Sequence, residues 1–263
     1  MNLEREQPGY TKVYTLWDDA RGVKNIQEAT LNTADYGILQ EHGLFGSREW
    51  WSAIDNGELA VHTVYGTICD LAMESMNDWP VFRILCDDGT VTESITRETL
   101  TTISISDNLY QIGRRVIWQY VHVRHKKRVA FLPERGRHTV SIWVASIEIL
   151  FRPVGEEELS LIAASNFSAF PPRLPEQPIF YPVCSSRYAE EIASKWNTPR
   201  GYVTEFQVAK AFLAKYERHQ VGGKEHVEYW IPAEDLSAFN RSIVGKIRVV
   251  KSFTGQRSAT ETR

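Results

Sequence analysis

RRVIWQYVHVRH, residues 114–125, has β-branched and aromatic residues through its middle and basic residues at both ends. That composition predicts a β-strand. The runs LAVHTVYGTICDLAM (59–73), VFRILCDDGTVTESI (81–95) and TVSIWVASIEI (139–149) have the same grammar. Turn signals at Asp87-Asp88-Gly89 and Ser106-Asp107-Asn108 separate the runs. About five strands with little helix predict a small barrel in the oligonucleotide-binding (OB) style or a curled sheet. Before them lies a less regular arm, in which Ser47 caps a short helix, REWWSAIDNG, that stops at Gly57.

The grammar changes near residue 150. PVGEEELSLIAASN (153–166) reads as helix, and FPPRLPEQP (170–178) has four prolines in nine residues, so it is an extended loop. Strand, helix and strand signals then alternate through IFYPV, SSRYAEEIASKWN, GYVTEFQV, AKAFLAKY, HVEYWI, PAEDLSAFNRSI and GKIRVVKSF. The expected fold class is α+β: a mostly β domain with an N-terminal arm over residues 1–150, then an α+β domain over 151–263.

The 263 residues carry a net charge of −3 with 43% hydrophobic content, as in soluble globular chains. The whole chain is no polycation. Cys69, Cys86 and Cys184 are widely spaced and odd in number, which predicts reduced thiols and a cytoplasmic location. The opening MNLEREQPGY has no apolar stretch, so neither a signal peptide nor membrane association is expected. Seven histidines without ligand spacing predict no metal site.

Two stretches carry candidate chemistry. In residues 112–138 eight Lys and Arg stand against one acid, with Trp118, Tyr120 and Phe131 interleaved. Cations for phosphates and rings for bases make Arg114, Arg115, Arg124, Lys126, Lys127 and Arg128 candidate nucleic-acid contacts. A solvated basic strand face fits the same pattern. In GGKEHVEYWIPAEDL (222–236), strand alternation puts His226, Glu228 and Trp230 on one face and Val227, Tyr229 and Ile231 on the other. The first face suits a cleft for a polar, planar ligand, or an edge strand in water. Ser185 and Ser186 read as helix caps.

The segments PPRLPEQPIFYPV, YAEEIASKWN, GYVTEFQV and GGKEHVEYWIPAEDLSAFNRSIVGKIRV resemble a small bacterial family often labelled "ADP-ribosylation/crystallin J1". From residue 180 to residue 250 the order of elements also resembles the closing part of ADP-ribosyltransferase-like toxin domains. That resemblance implies NAD as substrate and Glu228 as the catalytic carboxylate that stabilises an oxocarbenium-like ribose. Arg173 would anchor phosphate, Tyr181 would stack on nicotinamide, and His226 and Trp230 would complete the NAD site. The chain departs from that pattern in one respect: the usual first strand with its own Arg or His is not evident. Arg173 paired with a nearby acid and Tyr181 as a half-buried strand residue are the plainer alternatives.

Two functional expectations follow. One is an NAD-dependent ADP-ribosyltransferase-like bacterial effector, a toxin or defence protein whose β domain selects a nucleic-acid or protein target. The other is a non-catalytic interaction module of the immunity or antitoxin type, with a cognate partner, or a nucleic-acid-binding protein.

Overall fold

The computed structural model describes residues 6–98, 109–126, 135–197 and 199–254. The turn expected at Ser106-Asp107-Asn108 and the basic residues Lys127 and Arg128 lie outside them. The chain divides into two compact units, Met1–Ala145 and Ser146–Arg263. Each is described by itself.

The first unit contains strand β1 (Tyr10–Thr15), helices α1 (Ala20–Asn32) and α2 (Arg48–Asp55), and strands β2 (Val61–Glu74), β3 (Trp79–Cys86), β4 (Ile95–Thr96), β5 (Arg115–Arg124) and β6 (Arg135–Ala145). The six strands form one antiparallel sheet in the order β1-β6-β5-β2-β3-β4. The sheet curls into half a barrel. Among the described residues no ladder joins β1 to β4, so the curled sheet, not a closed barrel, is what these strands build. Three register slips bend it. β1 carries an extra residue at Val13, β2 at Cys69 and β6 at Val140, and an extra residue kinks a strand and increases its twist. Gly66 of β2 sits where β2 and β3 approach closely: a Cβ there would lie 2.3 Å from the Leu85 carbonyl oxygen. Val13, Ile68, Phe82, Ile84, Val116 and Ile142 are fully buried in the core that the helices cover, together with Phe45 and Trp50.

Local signals fix the helices. Asp19 caps α1 by accepting from the Gly22 amide at 2.8 Å, and Ser47 caps α2 by accepting from the Trp50 amide at 3.3 Å. At the tip of the β2–β3 hairpin, Ser75, Met76 and Asn77 all take left-handed φ angles of 51°, 56° and 71°. Met76 is fully exposed there.

The second unit contains β7 (Ile147–Gly155), α3 (Glu156–Ala164), β8 (Ile179–Phe180), α4 (Ser186–Lys195), β9 (Arg200–Ala209), α5 (Lys210–Leu213), β10 (Arg218–Gln220), β11 (Val227–Tyr229), β12 (Ile231–Pro232), α6 (Leu236–Arg241) and β13 (Ile243–Thr254). Its main sheet has the order β13-β9-β7, and two small ladders pair β10 with β11 and β12 with β8. Thus the run TVSIWVASIEI is two strands: β6 ends at Ala145 in one unit and β7 begins at Ile147 in the other. HVEYWI is also two strands, β11 and β12, with Trp230 between them. Phe170, Phe180, Phe206 and Phe239 form the centre of the second core, with Phe170 4.8 Å from both Phe180 and Phe206. The start of the proline loop is pinned by the Asn240 side chain, which accepts from the Phe170 amide and donates to the Phe170 carbonyl, both at 3.0 Å. Nothing in this unit establishes the ADP-ribosyltransferase-like domain expected for residues 151–263.

Gly201, in β9, faces α4. A Cβ there would lie 2.0 Å from the Ala193 carbonyl oxygen, a backbone atom that cannot swing aside. Gly201→Ala is therefore expected to destabilise the chain by about 1–3 kcal/mol, while Gly155→Ala, where a Cβ meets nothing within 4 Å, is expected to change stability far less. Paired urea titrations of the two variants check this.

Candidate functional site

Glu228 sits mid-strand in β11 and is only 9% exposed. Its neighbour two residues on explains how a carboxylate is held there: the Trp230 indole Nε1 donates to Glu228 Oε1 at 2.8 Å. Trp230 in turn stacks on His219 at 4.1 Å, and its face is 44% exposed. His226 is engaged elsewhere. Its ring stacks on Tyr188 at 4.3 Å and Nε2 lies 3.1 Å from Glu191 Oε2. Burial raises the Tyr188 phenol pKa, and the charges of Glu228 and Glu191 add to the effect.

Arg173, Tyr181 and Glu228 line one cleft of about 450 Å³, together with Arg152 and Ile192. His226 and Trp230 are not among its lining residues. The guanidinium groups in the cleft are already committed. Arg152 makes a two-point contact with Glu158, at 2.7 and 3.2 Å, and donates to the Tyr181 carbonyl at 3.4 Å. Arg173 donates to the Ile179 carbonyl at 3.2 Å and to Gln177 Oε1 at 2.9 Å, with Glu158 3.9 Å away. Burial lowers its pKa, and the nearby Arg152 charge acts in the same direction. Arg152 and Glu158 were invisible to motif reading: one ends a strand pattern and the other lies inside an acidic helix start.

The basic stretch of the first unit is likewise engaged. Arg114 is 5% exposed and donates to the carbonyls of Ala145 and Leu109, both at 2.8 Å. Burial lowers its pKa to about 10. Arg115 makes a two-point contact with Asp87. Arg124 reaches Glu41 Oε1 at 2.9 Å. Lys126 donates to the Thr30 and Thr33 carbonyls at the end of α1, where a cation also complements the helix dipole. These four side chains form no open row of cations for a phosphate backbone.

A second cleft, of about 720 Å³, opens beside the β6 bulge. Its wall is aromatic and basic. Trp118 and Tyr120 stack at 4.3 Å, and the Arg137 guanidinium lies 5.5 Å from the Trp118 ring centroid and 6.0 Å from that of Tyr120. Arg137 is ion-paired with Glu93, whose side chain is 84% exposed. His122, His138 and Glu98 also line it. This cleft and the sheet that forms it fall within the stretch that matches a known family: residues 10–144 match the family described as Immunity protein RhsI2. The chain belongs to the RhsI2 immunity protein family. No curated protein matches it.

Membership of the RhsI2 family corrects the earlier likeness. The chain is not identified as an ADP-ribosyltransferase or as a member of the crystallin J1-labelled family, and the transferase and NAD assignments lose their support. The physical counterpart is plain in the second unit, where the expected anchor Arg173 is tied to its own loop and Glu228 to Trp230. The family finding favours an immunity-type interaction module, and an immunity protein implies a cognate toxin partner. Among the described residues, no helix is long and apolar enough to cross a membrane.

The 720 Å³ cleft holds groups whose charge is suppressed. Burial, helped by His125, lowers the His138 pKa to about 4, and burial raises the Glu98 pKa to about 7, with the Asp19 charge adding and a Tyr14 hydrogen bond opposing. The two act oppositely on stability. Between about pH 6.5 and 4 the unfolded chain protonates His138 and the folded chain does not, so that contribution falls as pH drops. Between about pH 4.5 and 7 the folded chain keeps the Glu98 proton that the unfolded chain loses, so that contribution falls as pH rises. Hence His138→Gln is expected to lessen the loss of stability at pH 4–5, and Glu98→Gln to stabilise above pH 7 with no gain below pH 4.5. Thermal unfolding of the three proteins across pH 4–8 checks both signs.

Proposed function

We propose that this chain is a non-catalytic immunity protein that neutralises a cognate toxin by binding it, and that the unit Met1–Ala145 carries the binding surface. The observation behind this reading is the extent of the family match. Residues 10–144 run from the first residue of β1 to the penultimate residue of β6. The family's sequence pattern therefore spans the six-stranded sheet from its first strand to its last, a framework that can hold a fixed surface against a partner.

The surface chemistry of that unit supports protein binding. Tyr36, Trp79 and Met76 are 68%, 54% and 100% exposed. Aromatic and Met side chains are enriched in interfaces, and the aromatic ones bury much area with little rotamer loss. Of the basic residues that would favour nucleic acid instead, those described, Arg114, Arg115, Arg124 and Lys126, are paired within the chain. Neutralisation by binding needs no turnover, so the buried Glu228 serves the fold of the second unit.

Co-production of the full chain with the cognate toxin in a sensitive cell is expected to restore growth, and the two proteins are expected to co-purify as a stoichiometric complex. Glu228→Gln should protect to the same extent as the unaltered chain. Protection at strongly substoichiometric levels without a complex, or loss of protection in a folded Glu228→Gln variant, would overturn the binding mechanism.

A further inference from the structure

The pairing of Arg137 with Glu93 has an asymmetry that a purely structural ion pair would not need. The arginine is held firmly. It projects from β6 opposite His122 of β5, and its guanidinium lies over the Trp118 and Tyr120 rings. Its carboxylate partner is not held in this way. Glu93 lies between β3 and β4, its side chain is 84% exposed, and that of Arg137 is 28% exposed. An exposed ion pair contributes about 0–1 kcal/mol, so little is lost when one carboxylate replaces another. Trp, Tyr and Arg clustered in a cleft are also the residues that most often dominate protein interfaces.

Resting on the immunity reading above, we infer that this cleft receives an acidic segment of the toxin, one carboxylate of which displaces Glu93 from Arg137. The chemistry is that of a preformed socket occupied by a surrogate. A guanidinium set over two rings, 5.5 and 6.0 Å from their centroids, can meet a carboxylate through its planar N–H groups, which a lysine would not reproduce. Arg135 lines the same cleft and adds a second positive charge. The ring of His122 presents a buried Nδ1 that has no hydrogen-bond partner among the described residues. Burial lowers the pKa of that ring, and the charges of His62, Arg137 and Arg135 act in the same sense. Once Glu93 is displaced, an incoming carboxylate faces Arg137 and Arg135, while the other acid of the cleft, Glu98, has its charge suppressed by burial, which raises its pKa to about 7. A polyanion such as nucleic acid fits less well, because Glu93 stands at the rim and the other basic side chains of β5 are paired within the chain.

The test uses the full-length chain and a synthetic peptide of alternating Asp and Gly, with the Lys/Gly counterpart and a single-stranded oligothymidine as controls, titrated by calorimetry at low salt. The acidic peptide is expected to bind, Glu93→Gln to bind it several-fold tighter, and Arg137→Gln to bind it at least about tenfold more weakly. The Glu93 variant guards against misfolding, since an exposed side chain can be changed without disturbing the core. Equal binding by all three proteins, no binding of the acidic peptide by the Glu93→Gln chain, or preference for the Lys peptide or the oligothymidine would overturn the inference. Growth protection separates it from the broader reading. If the unaltered chain protects and folded Arg137→Gln protects equally, the socket is refuted while immunity stands. If the unaltered chain fails to protect, the immunity reading falls and the socket as a toxin contact falls with it.

Discussion

The ladder between β5 and β6 is the constraint on which the first unit depends. β5 pairs with β2 on its other side and β6 with β1, so the six strands are one sheet only while these two remain in register. The ladder runs from Val116 opposite Val144 to Arg124 opposite Arg135 and slips once, at Val140. That slip bends the sheet where Trp118, Tyr120 and Arg137 come together. Its open end is closed by Arg114, whose buried guanidinium donates to the carbonyls of Leu109 and Ala145. A buried cation is costly unless every proton finds an acceptor. The residue that reads as a phosphate contact is thus a fastening of the β5–β6 pair.

The second unit solves the same problem with paired charges. β7 and the proline loop each bring an arginine toward Glu158. Arg152 also lies over the Phe180 ring at 4.6 Å, so one guanidinium links the polar cleft to the phenylalanine core. Glu228 is held by an indole two residues along the same chain segment, the spacing at which side chains of an extended strand share a face. A carboxylate flanked by aromatic residues therefore marks a local hydrogen-bonding arrangement, and its presence alone says nothing of catalysis.

What could be read from the sequence was what is local. Ser47 and Ser185 each accept from an amide three residues on and start the helices their context announces. Composition alone located β2, β3, β5 and β9. Helix α1 escaped notice because its apolar stripe is short: Val23 and Ile26 pack against the core, but the rest of ARGVKNIQEATLN is mostly polar. The division of TVSIWVASIEI at Ser146 was unreadable for a different reason: both halves are good strands, and which sheet each joins is set by distant partners, β1 and β5 for one and β9 for the other. The 720 Å³ cleft had the same fate. Its ion pair joins residues 93 and 137, and no short motif connects them. The likeness of the second half to transferases rested on the order of its elements, which many α+β units share, and the family match over residues 10–144 redirects the function to immunity.

The β2–β3 hairpin tip has a chemical consequence. Three successive left-handed residues turn the Met76 side chain fully into water, so its thioether touches no core. Peroxide converts methionine to a polar sulfoxide, a lesion that is disruptive where the side chain is packed and tolerable where it is not. Met76 is therefore a position whose oxidation is expected to leave the sheet intact. Its oxidation state, read by mass, records whether the hairpin tip was open to solvent or covered at the moment of exposure.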